Sequence, residues 1–228
     1  MKKILPLLIL AVLSHYLPAQ TALSFYAGPN QIQIVSKYGD NYPYAETKLD
    51  APAGYGAVFI LQPEADEVLK PGLEVGYTSN TGRLHVYSGG KGSSSSWSGD
   101  FHFRYLLLGF HPELTARAGR LELGLGLGFR LRLLLANERV EVRGLNSDLI
   151  NGSENIEESG RAGDYLNDNI TGWMVFLSAR WRINGNWAAG LRATYDRGSE
   201  PGKGGFATGN TFRDAFLGGG ITYRFNKK

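Results

Sequence analysis

The sequence predicts an all-β fold, an eight-stranded antiparallel up-and-down β-barrel that crosses a membrane. Three observations predict it: one strand with an unbroken hydrocarbon face, the recurrence of that alternation along the chain, and connections that alternate in length. The first is sharpest in residues 121–135, Leu-Glu-Leu-Gly-Leu-Gly-Leu-Gly-Phe-Arg-Leu-Arg-Leu-Leu-Leu. Successive side chains of a strand point to opposite faces. Every odd position here is large and apolar, while the even positions from 122 to 132 are Glu122, three glycines, Arg130 and Arg132. A soluble barrel keeps apolar groups inside and polar groups outside. Arginines that share a strand with so much leucine call for the reverse, hydrocarbon outside and a polar lumen.

The N-terminus precedes the barrel pattern. Lys2 and Lys3, the apolar run Ile4 to Leu13, and Ser14 to Gln20 have the layout of a secretory signal peptide. Cleavage is expected after Ala19, leaving residues 20–228 as one barrel domain. Removing the segment deletes both lysines and no acid, so the formal charge falls from +3 to +1. Nucleic acid is therefore not an expected partner. The apolar run is too short to span a bilayer as a helix, which takes roughly 20 residues. There is no cysteine, so backbone pairing must hold an exported chain together.

The strands follow in order. Residues 22–27 set Leu23, Phe25 and Ala27 outward before Pro29 interrupts. Residues 54–62 set out Tyr55, Ala57, Phe59 and Leu61, and residues 72–79 set out Leu73, Val75 and Tyr77. Residues 101–110 set Phe101, Phe103, Tyr105 and Leu107 outward against His102, Arg104, Leu106 and Leu108, with both faces apolar at the end. After 121–135, residues 171–183 alternate from Trp173 to Ile183, Asn184-Gly185-Asn186 reads as a tight turn, and residues 187–195 alternate from Trp187 to Tyr195. Residues 213–225 close the series from Ala215 to Phe225. The connections 37–53, 90–99, 138–170 and 198–210 are long, while 63–71, 112–119 and 184–186 are short. Long loops on one side and short turns on the other, with an even strand count, close a barrel without an edge. After Asn80-Thr81-Gly82 the apolar parity slips to Leu84 and Val86, which a bulge in a strand rising above the membrane explains. A turn there and another near Gly28-Pro29-Asn30 would give ten strands instead. Segments 22–27 and 31–36 are each short for a span of about 9–11 residues, which favours eight.

Signal peptide, eight alternating strands, alternating loops and a terminal Tyr223-Arg224-Phe225 resemble the small outer-membrane β-barrels of Gram-negative bacteria, of the OmpA/OmpX and porin-like type. The resemblance covers the mature chain as an architecture, with no diagnostic short motif. It implies location in the outer membrane, outer-membrane lipids as surroundings, and the barrel-assembly machinery as the partner that reads the aromatic-ended last strand. Here Asn226-Lys227-Lys228 follow Phe225, where many members end on the aromatic.

The inferred lumenal face collects Glu74, Arg104, Glu122, Arg130, Arg132, Arg180, Arg182, Arg192, Asp196, Asp214 and Arg224. The interior of an eight-stranded barrel is just wide enough for side chains to fill it, so Arg–carboxylate pairs are expected to plug it. The excess of arginine leaves a second reading, a small anion-favouring channel. Outward Trp173, Trp181, Trp187, Tyr195, Tyr223 and Phe225 lie near strand ends, as interfacial girdles do. Loop 138–170 carries a net charge of −5. It reads as a solvated surface or, with loop 198–210, as a surface for an extracellular partner. Ser93 to Ser96 read as loop.

Catalysis is not expected. His85, His102, Asp100 and Ser88 sit near the loop-side mouth, and outer-membrane lipid-modifying enzymes exist, but no base is fixed against a nucleophile. His111 is placed at a turn. No metal or cofactor is expected, because the acidic loop lacks calcium-ligand spacing and Gly124-Leu125-Gly126-Leu127-Gly128 lies within a strand rather than opening a helix. The expected role is structural or surface-interacting. A passive channel for small solutes is the alternative, with lipid modification and a soluble ligand-binding barrel behind it.

Overall fold

The computed structural model describes residues 21–35, 45–50, 53–63, 68–90, 93–135, 139–148, 152–161, 164, 167–199 and 211–225. Residues 1–19, expected to be a signal peptide, and Asn226-Lys227-Lys228 lie outside these. Eleven strands are described: β1 Thr21–Val35, β2 Ala45–Asp50, β3 Ala53–Pro63, β4 Leu69–Gly90, β5 Ser93–Ala118, β6 Leu121–Leu134, β7 Arg139–Asp148, β8 Gly152–Arg161, β9 Asn169–Arg182, β10 Trp187–Gly198 and β11 Thr211–Phe225. Eight of them, β1, β3, β4, β5, β6, β9, β10 and β11, form a closed antiparallel ring. Thr21 meets Phe225 where the first strand pairs with the last. Closure removes the unpaired edge that hydrocarbon would penalise. Segments 22–27 and 31–35 belong to one strand, and no turn forms at Gly28-Pro29-Asn30.

The remaining three strands widen the long-loop end. β2 pairs with Arg83–Ser88 of β4, β7 pairs with Ser93–Gly99 of β5, and β8 pairs with β7. A sheet ordered β2-β4-β5-β7-β8 therefore rises above the ring. From Tyr77 to Gly90, β4 advances about 43 Å at about 3.3 Å per residue, well past the hydrocarbon.

The outer wall is a hydrocarbon belt. Phe129 is 74% exposed, and Leu127, Leu177 and Leu191 are 60–61% exposed. Contiguous apolar area on this scale belongs in lipid, so the fold is a transmembrane β-barrel. Two aromatic rims bound the belt. Trp181, Trp187, Tyr223 and Phe225 sit at the short-turn end, with Trp187 and Phe225 each 4.8 Å from Tyr223 by ring centroid. Trp173 and Tyr195 form the upper rim at 6.1 Å, joined by Tyr55 and Tyr77 at 6.2 Å. Between Trp187 and Tyr195, β10 advances about 26 Å, which suits a belt about 25 Å tall.

The structure corrects the orientation expected for 101–110. Phe101, Phe103, Tyr105 and Leu107 are buried inside, while Leu108, Phe110 and Leu114 face lipid. His102 and Arg104 made the even face read as lumenal, but the charges farther along the strand decide otherwise. His111 and Glu113 share the parity of Phe101, so the expected orientation would have driven both into hydrocarbon. Arg104 consequently lies on the outer face of β5, half-buried and opposite Ser79, and is not a lumenal residue. Nor is there a bulge after Gly82. β4 and β5 pair one to one from Leu69↔Leu114 to Gly90↔Ser93. The apparent slip marks where the outward face leaves hydrocarbon for water, with Arg83, His85 and Tyr87 following Leu73, Val75 and Tyr77. Residues 93–99 are strand rather than loop, and 138–170 contains the β7–β8 hairpin.

Turns at the short end are closed by local chemistry. Gly119 takes a left-handed φ of 60° between β5 and β6, a conformation that glycine adopts without steric cost. At 183–186 the Asn184 carboxamide oxygen accepts from the amides of Asn186 at 2.9 Å and Trp187 at 2.8 Å. That is an Asx-type closure rather than a left-handed Asn-Gly pair. The inner glycines of β6 serve space instead. A Cβ at Gly124 would strike the Glu113 carboxylate, at Gly126 the Phe176 ring, and at Gly128 the His111 side chain. Gly126→Val is expected to cost about 1–3 kcal/mol by overpacking, measured by denaturant unfolding from lipid vesicles. An unchanged midpoint would mean that Phe176 does not occupy that space.

Candidate functional site

The inward faces of the ring fill the lumen in layers. Nearest the short turns, Glu122 of β6 receives Arg117 at 2.9 Å, Arg180 at 3.0 Å and Lys70 at 3.5 Å. Arg182 and Arg224 stand slightly farther off, at 3.8 and 3.9 Å. Above this, Glu113 accepts from Ser178 at 2.5 Å, Gln62 at 2.6 Å and Arg180 at 2.8 Å, and Arg180 also donates to Gln62 at 3.0 Å. The β5–β6 and β6–β9 registers, with Glu113 opposite Gly126 and Ser178 opposite Gly124, bring these groups over the glycines of β6.

The middle layer is a chain of alternating charge. Arg192 donates to Glu74 at 2.9 Å and lies 3.6 Å from the centroid of Phe176. Glu74 also bonds Arg130, which reaches Asp196 at 2.5 Å. Asp196 contacts Arg132, and Arg132 lies 3.4 Å from Asp214. Asp214 is held in turn by the Asn30 carboxamide at 3.1 Å. Three arginines thus meet three carboxylates, and all six side chains are buried. Charges removed from water persist only when paired with good geometry, and the planar fork of arginine suits that requirement. Beside them, His111 is fully buried, with its ring 4.6 Å from Phe176 and edge-on to it.

An apolar cluster packs in the upper lumen. Ile32, Ile34, Phe101, Phe103, Tyr105, Val140, Val142, Ile170 and Phe212 belong to one buried cluster. Phe212 spans the boundary: Arg132 lies 4.8 Å from its ring centroid and Tyr105 meets it edge-on at 5.8 Å. Arg132, expected on the lumenal face, lies there with no exposed surface beneath this cluster.

No family model matches the chain, and no curated protein does. Its backbone is similar to solved structures of small barrels. Neisserial surface protein A aligns with a TM-score of 0.44 and 10% identity over 91% of this chain and 98% of that one. Ail, the attachment invasion locus protein of Yersinia pestis, gives 0.35 and 11% over 90% and 98%. The outer membrane protein OprG of Pseudomonas aeruginosa gives 0.35 and 11% over 90% and 96%. Likenesses this distant concern the path of the chain alone.

Of the residues the sequence assigned to the lumen, Glu74, Arg130, Arg132, Arg192, Asp196 and Asp214 come together in the middle layer. Glu122, Arg180, Arg182 and Arg224 gather below, and Arg104 stands outside. Glu113, Lys70, Gln62, Asn30 and His111 were missed. His111, placed at a turn by the sequence, lies within β5. The signal for it and for Glu113 was parity with Leu107 through Gly109, masked by reading the strand as ended.

Among the residues imagined as a triad, Asp100 lies within electrostatic reach of both His85 and His102, and its carboxylate is taken by Arg83. His102 shares a hydrogen bond of 3.2 Å with Thr81, and both Asp100 oxygens accept from Arg83 at 2.7 Å. That exposed pair lies above the membrane. The hydrogen bonds from Arg83 and its charge hold the Asp100 carboxyl below the ordinary carboxylate range. What the pair contributes is therefore present at neutral pH and lost only as the pH falls through that lowered value.

Proposed function

We propose that the protein is a non-enzymatic barrel of a Gram-negative outer membrane, its lumen plugged and its work done by the sheet raised above the long-loop end. The observation that carries this reading is the buried Glu74–Arg130–Asp196–Arg132–Asp214 chain beneath an aromatic cap. A solute path would have to break buried pairs and displace Phe101, Phe103 and Phe212 together. Arginine and carboxylate are balanced in this layer, which leaves no uncompensated cation there to attract an anion. Supporting a surface role are β2, β7 and β8, which extend the β4–β5 hairpin, and the charged outer face of β7 with Glu141 and Arg143. The segments 138–170 and 198–210 are the proposed partner-binding region. The last strand, ending Tyr223-Arg224-Phe225, is the segment offered to the assembly machinery.

The lumen is tested by single-channel recording in planar bilayers. No discrete conductance steps are expected from the intact protein. Reproducible steps with anion selectivity would replace this reading with the porin-like one.

A further inference from the structure

On the lipid side of the wall, Gln33, Arg213, Arg197 and Trp173 stand directly opposite one another across β1, β11, β10 and β9. All four have the outward parity of their strands. Two cations are therefore neighbours, with Cβ atoms about 4.5–5.5 Å apart, a pairing that is destabilising unless something neutralises it. Neither guanidinium has an ion-pair partner among the described residues, and the Nε of Arg213 is shielded from solvent without a hydrogen bond. The row lies one step above Tyr195 and Ala215, at the upper rim of the hydrocarbon belt. Every arginine of the middle lumenal layer has a carboxylate, so this outward pair is conspicuous.

Directly beneath the pair, the same wall holds a groove of about 740 Å³. Ala193 and Ala215 leave it hollow, while Leu177, Leu217, Tyr195 and Pro29 stand around it. The trough lies within the belt, so hydrocarbon is what surrounds it, and its upper end opens toward the two cations.

We propose that this is a binding site for an anionic lipid of the outer leaflet that bears a phosphomonoester. The phosphate bridges Arg197 and Arg213, and an acyl chain lies in the groove below. Guanidinium matches phosphate through paired charge-assisted hydrogen bonds, and the anion removes the repulsion between the arginines. A free phosphate would account for the cations but not for the groove, and a neutral lipid for the groove but not for the cations. The leaflet assignment rests on the reading that the long-loop end faces outward.

The test uses the full mature barrel in phosphatidylcholine nanodiscs doped with lipid A, followed by native mass spectrometry of retained lipid. Wild type is expected to retain lipid A. The double variant Arg197→Gln/Arg213→Gln should lower retention about tenfold, since it removes both charge-assisted contacts. Ala193→Trp, which fills the groove and keeps both arginines, should lower it as well. Equal retention in the double variant overturns the proposal. So does full retention by Ala193→Trp, or displacement of the lipid by inorganic phosphate alone, either of which would leave only a free-anion site. Circular dichroism checks that each variant is folded. Orientation is read separately: a Tyr87→Cys variant, in a chain without other cysteines, should react with an impermeant maleimide on intact cells. Labelling only after lysis would overturn the outward reading of the hairpin while leaving the nanodisc result to stand on its own.

Discussion

Glu74→Ala is expected to destabilise the barrel by about 3–5 kcal/mol, the range for removing one partner of a buried ion pair. Glu74 receives Arg192 at 2.9 Å on one oxygen and Arg130 on the other. Without it, Arg130 keeps only Asp196, and Arg192 keeps the Thr194 hydroxyl at 3.2 Å and the Phe176 ring. Two buried cations would then share too little negative charge, in a layer beneath the buried apolar cluster. Glu74→Gln should fall between, because an amide retains one acceptor without the charge. Arg83→Ala, which breaks an exposed pair, should leave the midpoint where it was. Denaturant unfolding from vesicles measures all three. If Glu74→Ala shifts stability by less than about 1 kcal/mol, the value for exposed pairs, the lumen is wet. That outcome would also revive the channel reading.

The parts of this fold that were legible in the sequence are those where one face had to be hydrocarbon and the other could not be. β6, β10 and β11 announce their orientation because charged residues or glycine fill most of the inward places, and β9 does so through Arg180 and Arg182 at its end. β5 does not. From Tyr105 to Leu108 both faces are apolar, and the polar His102 and Arg104 before them mark the outer face above the lipid rather than the lumen, so periodicity alone pointed the wrong way. The deciding residues, His111 and Glu113, lay beyond the point where the strand was taken to end. The same blindness explains Arg104, assigned to the lumen by a parity that the strand does not have. It also explains the parity change after Gly82, where a straight strand crosses from lipid into water. Strand pairing above the membrane was illegible for another reason. β7 has only Val140 and Val142 on its buried face and β8 carries many charges, so their order comes largely from adding to an existing edge. Within the lumen, the sequence supplied charges but not partners. The arginine excess shrank once Arg104 moved out and Glu113 moved in, and only register could place Arg132 between Asp196 and Asp214.

Leu191→Arg is expected to cost about 2–4 kcal/mol, the penalty for arginine at the middle of the lipid-facing wall. Leu191 lies midway along β10 between Trp187 and Tyr195, and it is 61% exposed on the outer face. Its neighbours across the ladder are Ala179 and Gly219, so the new side chain meets no steric obstacle and the cost reports solvation alone. From that depth a long side chain can reach toward the interface only in part. Thr171→Arg, outward on β9 one step above Trp173 and opposite Leu131, should cost about 0–1 kcal/mol because arginine near the interface is tolerated. The depth profile, rather than either value alone, separates a membrane wall from a water-facing one. A soluble barrel would gain solubility from both substitutions and lose stability from neither. If unfolding from vesicles gave the same small change at both positions, the hydrocarbon belt would have to be read as a protein interface instead.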